Sequence, residues 1–222
     1  MSMITRRHLL YQAGVLALGA ALLPGRRAWA AAPAVKAAKL SDELHADLMQ
    51  VQAYLNGIRT LSSRFTQLTA EGGVANGQLY LSRPGRMRFE YDPPVPVLLV
   101  ADGRTIYYYD KELQQVTELR VNDTPAGFLL RDQIALTGDV TVTAFDHHAG
   151  AIRISMIETK EPGQGSVTMV FDDKPVLLKQ WTVIDPQQKQ VTVTLDSPHY
   201  GAAIDPKLFY WTDPRPANTQ NK

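Results

Sequence analysis

The residues with the clearest capacity for chemistry are Asp146-His147-His148 and the acidic pair Asp172-Asp173. A histidine near carboxylates can serve as a general base or hold a metal. The spacing argues against both. Adjacent histidines at a strand end point to opposite faces and do not converge on one ion, and Ala149-Gly150 then reads as a hairpin turn. Asp172-Asp173 falls at a turn before Lys174-Pro175, where solvated charge is expected. His45 lies on the polar side of a helical pattern, and His199 sits between a Pro and a Gly, so both read as surface residues. Cysteine is absent, which removes a thiol nucleophile, a cysteine zinc site and a lipidated N-terminal Cys. No Gly-x-Ser-x-Gly elbow, phosphate loop or dinucleotide fingerprint occurs. No catalytic residue, metal ligand or cofactor is assigned, and an enzyme is not expected. A hydrolase whose site no motif reveals would need a pocket with converging carboxylates or histidines.

What remains is apolar chemistry, and its compartment is written at the N-terminus. Arg6 and Arg7 precede an apolar stretch from Leu9 to Leu23, followed by Pro24-Gly25 and Ala28-Trp29-Ala30. This is the charged, apolar and small-residue order of a signal peptide, with cleavage expected after Ala30. The apolar stretch is shorter than the ~20 residues a bilayer-spanning helix needs. Thr5-Arg6-Arg7-His8-Leu9-Leu10, with Arg26 and Arg27 close to the cleavage site, has the character of a twin-arginine leader. A Sec leader that happens to begin with two arginines is the alternative. Four of the 23 basic residues lie before residue 31 and none of the 22 acidic ones does, so the remainder is net acidic. It has no basic stripe, and nucleic-acid binding is not expected.

The elements that follow read as one helix and then a meander. Residues 31–39 look like a flexible approach. Ser41 can cap a helix whose first turn holds Asp42 and Glu43 and whose end is marked by Gly57. Leu40, Leu44, Leu48, Val51, Leu55 and Ile58 recur at steps of three and four along one stripe. Beyond Leu61 the texture is β. Met87, Phe89 and Tyr91 alternate with Arg88 and Glu90, and Asp102-Gly103 is a hairpin signal. Neighbouring antiparallel strands, rather than βαβ units, account for this order. Thr124-Pro125 reads as a cap with proline at the first helical position, opening a short apolar turn through Phe128, Leu129 and Leu130. A helical piece inserted midway through a sheet must cover something. Strands then resume, residues 205–210 could form a last helical turn, and 213–222 read as a disordered tail.

Several strands are apolar on both faces: Met169 and Phe171 oppose Val170, and Trp181 and Val183 oppose Ile184. A sheet with one wet face alternates more cleanly. The pattern fits a curved sheet around either a solid core or a ligand cavity, and sequence alone does not separate the two.

Phe65-Thr66-Gln67, the run Gly77-Gln78-Leu79-Tyr80-Leu81-Ser82-Arg83-Pro84-Gly85-Arg86-Met87-Arg88-Phe89-Glu90-Tyr91, and Asp102-Gly103-Arg104-Thr105-Ile106-Tyr107-Tyr108-Tyr109-Asp110 are followed in order by Gln115-Val116-Thr117 and Thr124-Pro125. Together, behind a signal peptide and a helix, they resemble the outer-membrane lipoprotein carrier family (LolA-like), from about residue 41 to about residue 200. The resemblance implies a mainly β (α+β) fold over residues 40–212: an open, strongly curved antiparallel half-barrel with a helical lid over an apolar cavity. It implies a monomeric periplasmic carrier that binds lipoprotein acyl chains. Such a carrier collects its cargo from an inner-membrane lipoprotein-releasing ABC transporter and delivers it to an outer-membrane lipoprotein receptor. The receptor shares the fold but begins with a lipidated Cys, so a chain without Cys matches the carrier.

In that family the arginine of the Arg-Pro pair latches the lid through backbone carbonyls. The position here is Arg83, with partners expected near Leu55 on the first helix and near Leu129 and Leu130 on the inserted one. A guanidinium has five fixed donors and suits several carbonyls at once. Taken from residues alone, Arg83 reads first as a solvated strand-end residue, and only the resemblance favours the latch. The candidate cavity wall is Phe65, Met87, Phe89 and Tyr91, with Phe128, Leu129 and Leu130 on the lid; ordinary core is the other reading of each. The chain departs from the family at its C-terminus, where Phe209-Tyr210-Trp211-Thr212-Asp213-Pro214 replaces the usual aromatic-Pro-Pro-Gly-like ending. A carrier or sensor of another amphiphile with the same fold is the alternative function.

Overall fold

A computed structural model of the chain describes residues 37–148 and 150–215. The expected signal peptide and cleavage site, residues 31–36 and those from 216 onward lie outside the described residues. One helix, α1 (Asp42–Gly57), precedes eleven strands: β1 (Thr60–Thr69), β2 (Val74–Ser82), β3 (Arg86–Tyr91), β4 (Val97–Asp102), β5 (Thr105–Asp110), β6 (Gln115–Arg120), β7 (Val140–His148), β8 (Ala151–Glu158), β9 (Ser166–Asp173), β10 (Val176–Ile184) and β11 (Gln190–Tyr200).

All eleven strands form one open antiparallel sheet in the order β6-β5-β4-β3-β2-β1-β11-β10-β9-β8-β7. Two meanders, β1 to β6 and β7 to β11, are joined where β1 pairs with β11, with Phe65 opposite Leu195. Register shifts in β1·β11, β7·β8 and β9·β10 supply the local bends and extra twist that curve a sheet. This topology dictates a lid. The two edges of the sheet, β6 and β7, are consecutive in the chain, so residues 121–139 must cross the open side to connect them.

The crossing segment is apolar where it faces inward. It contains a 3₁₀ helix, Pro125–Leu130, in place of an α-helical turn. Thr124 caps it by accepting the Gly127 N–H at 3.2 Å. A Cβ at Gly127 would stand 1.9 Å from the Val121 carbonyl oxygen, so the tight turn requires glycine. Phe128, Leu129, Leu130, Ile134 and Leu136 are all buried.

The helix α1 completes the cover. Ser41 accepts the Leu44 N–H at 3.3 Å as N-cap, and Leu48, Val51 and Leu55 on its apolar stripe are almost wholly buried. Polar side chains stitch it to its neighbours. Gln52 accepts the Leu136 N–H at 2.8 Å. Asn56 accepts from the Ile134 N–H at 2.8 Å and donates to the Ile134 carbonyl at 2.9 Å. Tyr54 donates to the Tyr200 hydroxyl at 2.8 Å and accepts the Leu178 N–H at 2.9 Å, where the β9·β10 register shifts. Of the approach expected to be flexible, Ala38 is placed: its N–H donates to Val142 on the edge strand β7 at 2.8 Å.

A second, smaller apolar layer lies on the opposite face of β3 to β5. Residues from Pro206, through the turn Pro206–Phe209, strap across it. Phe209 is 1% exposed, Trp211 stacks on Tyr107 with ring centres 5.0 Å apart, and Arg88 donates to the Leu208 carbonyl at 3.1 Å. This explains why Leu98, Val100, Tyr107 and Tyr109 are apolar on the side away from the main core.

Candidate functional site: the apolar interior and its lid

The interior is built from alternate residues of adjacent strands. In β3, Met87 and Phe89 point inward, and their partners across β2 and β4 are Leu81, Leu79, Ala101 and Leu99. Phe65 from β1 meets Phe89 edge-on at 4.9 Å and Tyr91 at 5.2 Å. Gly77 makes this aromatic group possible. A Cβ there would stand 2.1 Å from the Glu90 carbonyl oxygen and 2.6 Å from the Phe65 ring. Tyr91 keeps its polar tip bonded by donating to Gln67 at 2.7 Å, and burial pushes its hydroxyl pKa well above the ordinary tyrosine range.

In this conformation the interior is occupied by the protein itself. A wider cleft opens beside Phe128, Met156 and Val167, and on the Arg83 side a residual cavity of about 20 Å³ remains, lined by Leu55, Leu81, Met87, Leu129, Leu178 and Trp181 among others. That is room for about one water at most. No buried side-chain polar atom among the described residues lacks a partner, and no group of metal-ligating side chains occurs among them. Apart from Arg83 the lining of this cavity is apolar, an arrangement suited to partition of an apolar ligand.

At one rim of this interior stands Arg83, just beyond the end of β2 and 6% exposed. All five of its N–H donors are used. Nη1 donates to the carbonyls of Leu55 and Ile58, the latter at 3.1 Å. Nε and Nη2 donate to the Arg131 carbonyl at 2.8 and 2.6 Å, and Nη2 also donates to the Asp132 carbonyl at 3.0 Å. The first two acceptors lie at the C-terminus of α1, where unpaired carbonyls carry the negative end of the helix dipole. The last turn of α1 has no basic residue of its own, so Arg83 supplies the missing cation from another element. Burial lowers its pKa from the usual arginine value, and Arg59 nearby adds to that effect while Asp132 opposes it.

The structure therefore brings Arg83 to the Leu55 carbonyl, but its partners on the inserted segment are Arg131 and Asp132, not Leu129 and Leu130. The Leu130 carbonyl accepts instead from the Gly85 backbone N–H at 2.8 Å, and Leu129 contributes its side chain to the cavity wall. The 3₁₀ turn ends at Leu130, and Arg131 returns to extended backbone. The carbonyls beyond the turn are thus the ones free to meet the guanidinium. Arg131 also fixes this end of the lid by donating to Glu158 on β8 at 2.9 Å and stacking over Phe128 at 5.4 Å.

Phe65, Met87, Phe89 and Phe128 are buried in the main core, and Tyr91 packs half-buried against it. Leu81, Leu178 and Trp181 also line the cavity, and sequence reasoning does not assign them: Leu81 faces inward because it pairs with Met87 across strands, and the register shift between Leu178 and Gln180 breaks the period-2 pattern that would otherwise separate Leu178 from Trp181. His147 was set aside, yet it lies at the opposite part of the lid. Its Nδ1 is 2.7 Å from Asp47 on α1 and its Nε2 is 3.3 Å from Asp173 on β9.

An open curved sheet, a largely apolar interior and a crossing lid tied by backbone-directed bonds make up a lidded half-barrel. Residues 56–212 match the family described as Outer membrane lipoprotein carrier protein LolA, and the chain belongs to that family. It is 29% identical over 176 residues to the outer-membrane lipoprotein carrier protein of Methylococcus capsulatus, an alignment covering 74% of this chain and 83% of that protein. To the protein of the same description from Cupriavidus pinatubonensis it is 37% identical over 111 residues, which are 45% of this chain and only 52% of that protein. Among solved structures, a LolA superfamily protein from Nitrosomonas europaea aligns with a TM-score of 0.42 at 8% identity, covering 74% of this chain and 97% of that one.

Proposed function

We propose that this protein is a periplasmic carrier of lipoproteins, which holds their acyl chains in the half-barrel and passes them from the inner to the outer membrane. The observation that carries the reading is the apolar interior beneath a lid fastened at its rim by the polar bonds of Arg83. Each acyl CH₂ kept from water is worth about 0.8 kcal/mol, so an unaided crossing of the periplasm is prohibitively slow. A carrier must bury that surface and still release it.

The filled interior supplies this compromise. Acyl chains enter only by displacing Leu129, Phe128 and their neighbours, and the free energy of re-closing is subtracted from the affinity. Arg83 is the latch that favours the closed form, with Leu55 at its α1 side. On this reading the donor is an inner-membrane lipoprotein-releasing ABC transporter and the acceptor an outer-membrane lipoprotein receptor. The leader read in residues 1–30 provides the export this role requires.

The test is a release assay on spheroplasts bearing newly made lipoproteins. Addition of the purified protein is expected to bring lipoprotein into the supernatant. Failure to release any lipoprotein, while another amphiphile co-purifies with the protein, would overturn this cargo and favour a carrier or sensor of that amphiphile.

A further inference from the structure

Arg83 holds only one end of α1. The opposite end is held by His147, and its contacts come from elements far apart in the chain. Asp47 lies in the first half of α1, His147 near the end of the edge strand β7, and Asp173 at the end of β9. One imidazole thus faces a carboxylate from the lid helix and another from the sheet, at 2.7 and 3.3 Å. The contacts of α1 run from β7 at Asp47, through Leu178 and Tyr200 at Tyr54, to Arg83 at Leu55. The helix therefore crosses the open side of the half-barrel with a polar fastening at each end.

The charged groups acting on the imidazole are Asp47 and Asp173. On β8 the residue paired with His147 is the buried, apolar Ile152. The flanking Asp146 and His148 are exposed, on the other face of β7. Between these two carboxylates, the protonation state of the ring decides the geometry. An imidazolium donates from both nitrogens and satisfies both carboxylates. A neutral ring donates once and turns its lone pair toward the other carboxylate.

We propose that His147 is a second latch of the lid, a positioning residue that ties α1 to the far side of the sheet when protonated and loosens it when neutral. This deepens the carrier reading and rests on it for its biological meaning. The sign follows from the pair of carboxylates, which raise the histidine pKa above its ordinary value. The fastening is at full strength below the ordinary histidine value of about 6.5 and is lost as pH rises through the raised one. Asp47 and Asp173 are only 21% and 17% exposed, and His147 30%, so the site is partly screened and the response is graded.

The test is amide hydrogen exchange of the cargo-free protein between about pH 5 and pH 9, corrected for intrinsic exchange chemistry. In the wild type, protection of the first half of α1 is expected to fall several-fold as pH rises, while the Arg83 end changes little. In His147→Gln the same amides should be uniformly less protected and show no pH dependence. Asp47→Asn should behave likewise while leaving the histidine in place, and it carries the test if His147→Gln does not fold. A pH profile in either variant that matches the wild type overturns the proposal. A normal exchange profile in a protein that releases no lipoprotein would instead sink the carrier reading and leave the latch standing.

Discussion

Arg83 and Leu55 lie on different elements, one beyond the end of a strand and one in the last turn of a helix, and the guanidinium of the first binds the backbone carbonyl of the second. The bond is directed at backbone, so the identity of side chain 55 matters for packing and not for the latch. It also places a buried cation at the carbonyl end of α1, where the helix dipole favours it.

Arg83→Leu is therefore expected to release the lid without dismantling the sheet. Bonds to a charged donor contribute about 1.5–3 kcal/mol each and are not additive, so the closed form should lose at least tenfold in population. Binding of a fluorescent acyl probe should tighten by a similar factor, and hand-over of lipoprotein to the outer membrane should slow. Arg83→Lys should rescue poorly, because an ammonium cannot reach four carbonyls from one planar fork. Unchanged probe affinity in Arg83→Leu would refute the latch.

Gly77→Ala should be more damaging than most alanine substitutions in a strand. The new methyl would meet both a backbone oxygen and the Phe65 ring, and the oxygen belongs to the β2·β3 pair and cannot move freely. Chemical denaturation should show a loss of stability of about 1–3 kcal/mol from overpacking, with Phe65→Ala at about 3–5 kcal/mol as a cavity reference. A Gly77→Ala protein as stable as the wild type would contradict the close approach.

Phe209→Ala removes a buried ring from the outer layer, not from the ligand interior. The expected cost is about 3–5 kcal/mol, seen as a lowered midpoint in urea. Acyl-probe affinity should be unchanged under conditions where the variant stays folded. A selective loss of probe binding would mean that the C-terminal strap communicates with the interior.

Tyr54, Tyr91 and Tyr200 all have hydroxyls whose pKa is raised from 10.0, chiefly by burial. Their folded values lie above the unfolded ones, so the stability they contribute is present below about pH 10 and falls as pH rises beyond it. Spectrophotometric titration should show these three ionising together with unfolding. Early ionisation of all tyrosines in a folded protein would contradict the burial.

Local features were legible because local rules govern them. The Ser41 cap, the stripe from Leu44 to Leu55 and the end at Gly57 follow from helical periodicity and capping, and α1 spans Asp42–Gly57. The alternation of Met87 and Phe89 with Arg88 and Glu90 announced which side of β3 is buried. The aim of Arg83 comes from family resemblance, which points to partners near Leu129 and Leu130, whereas the acceptors are the next carbonyls along, those of Arg131 and Asp132. The exit of the 3₁₀ turn sets which carbonyls are free, and periodicity does not report it.

His147 shows the limit from the other side. Its partners are 100 residues earlier and 26 later, and they converge only because α1 is laid across the opening between β7 and β2. The amino-acid sequence by itself determined the helix, the meander of apolar and polar alternation and the resemblance to the family. Those depend on interactions within a few residues or on composition. Only the tertiary structure decided that the interior is filled by its own lid, that Phe209 closes a second layer, and that Arg83 and His147 hold opposite ends of one helix. Each of these arises where elements distant in sequence meet, and the curvature and edge-to-edge crossing of the sheet, not any local preference, bring them together.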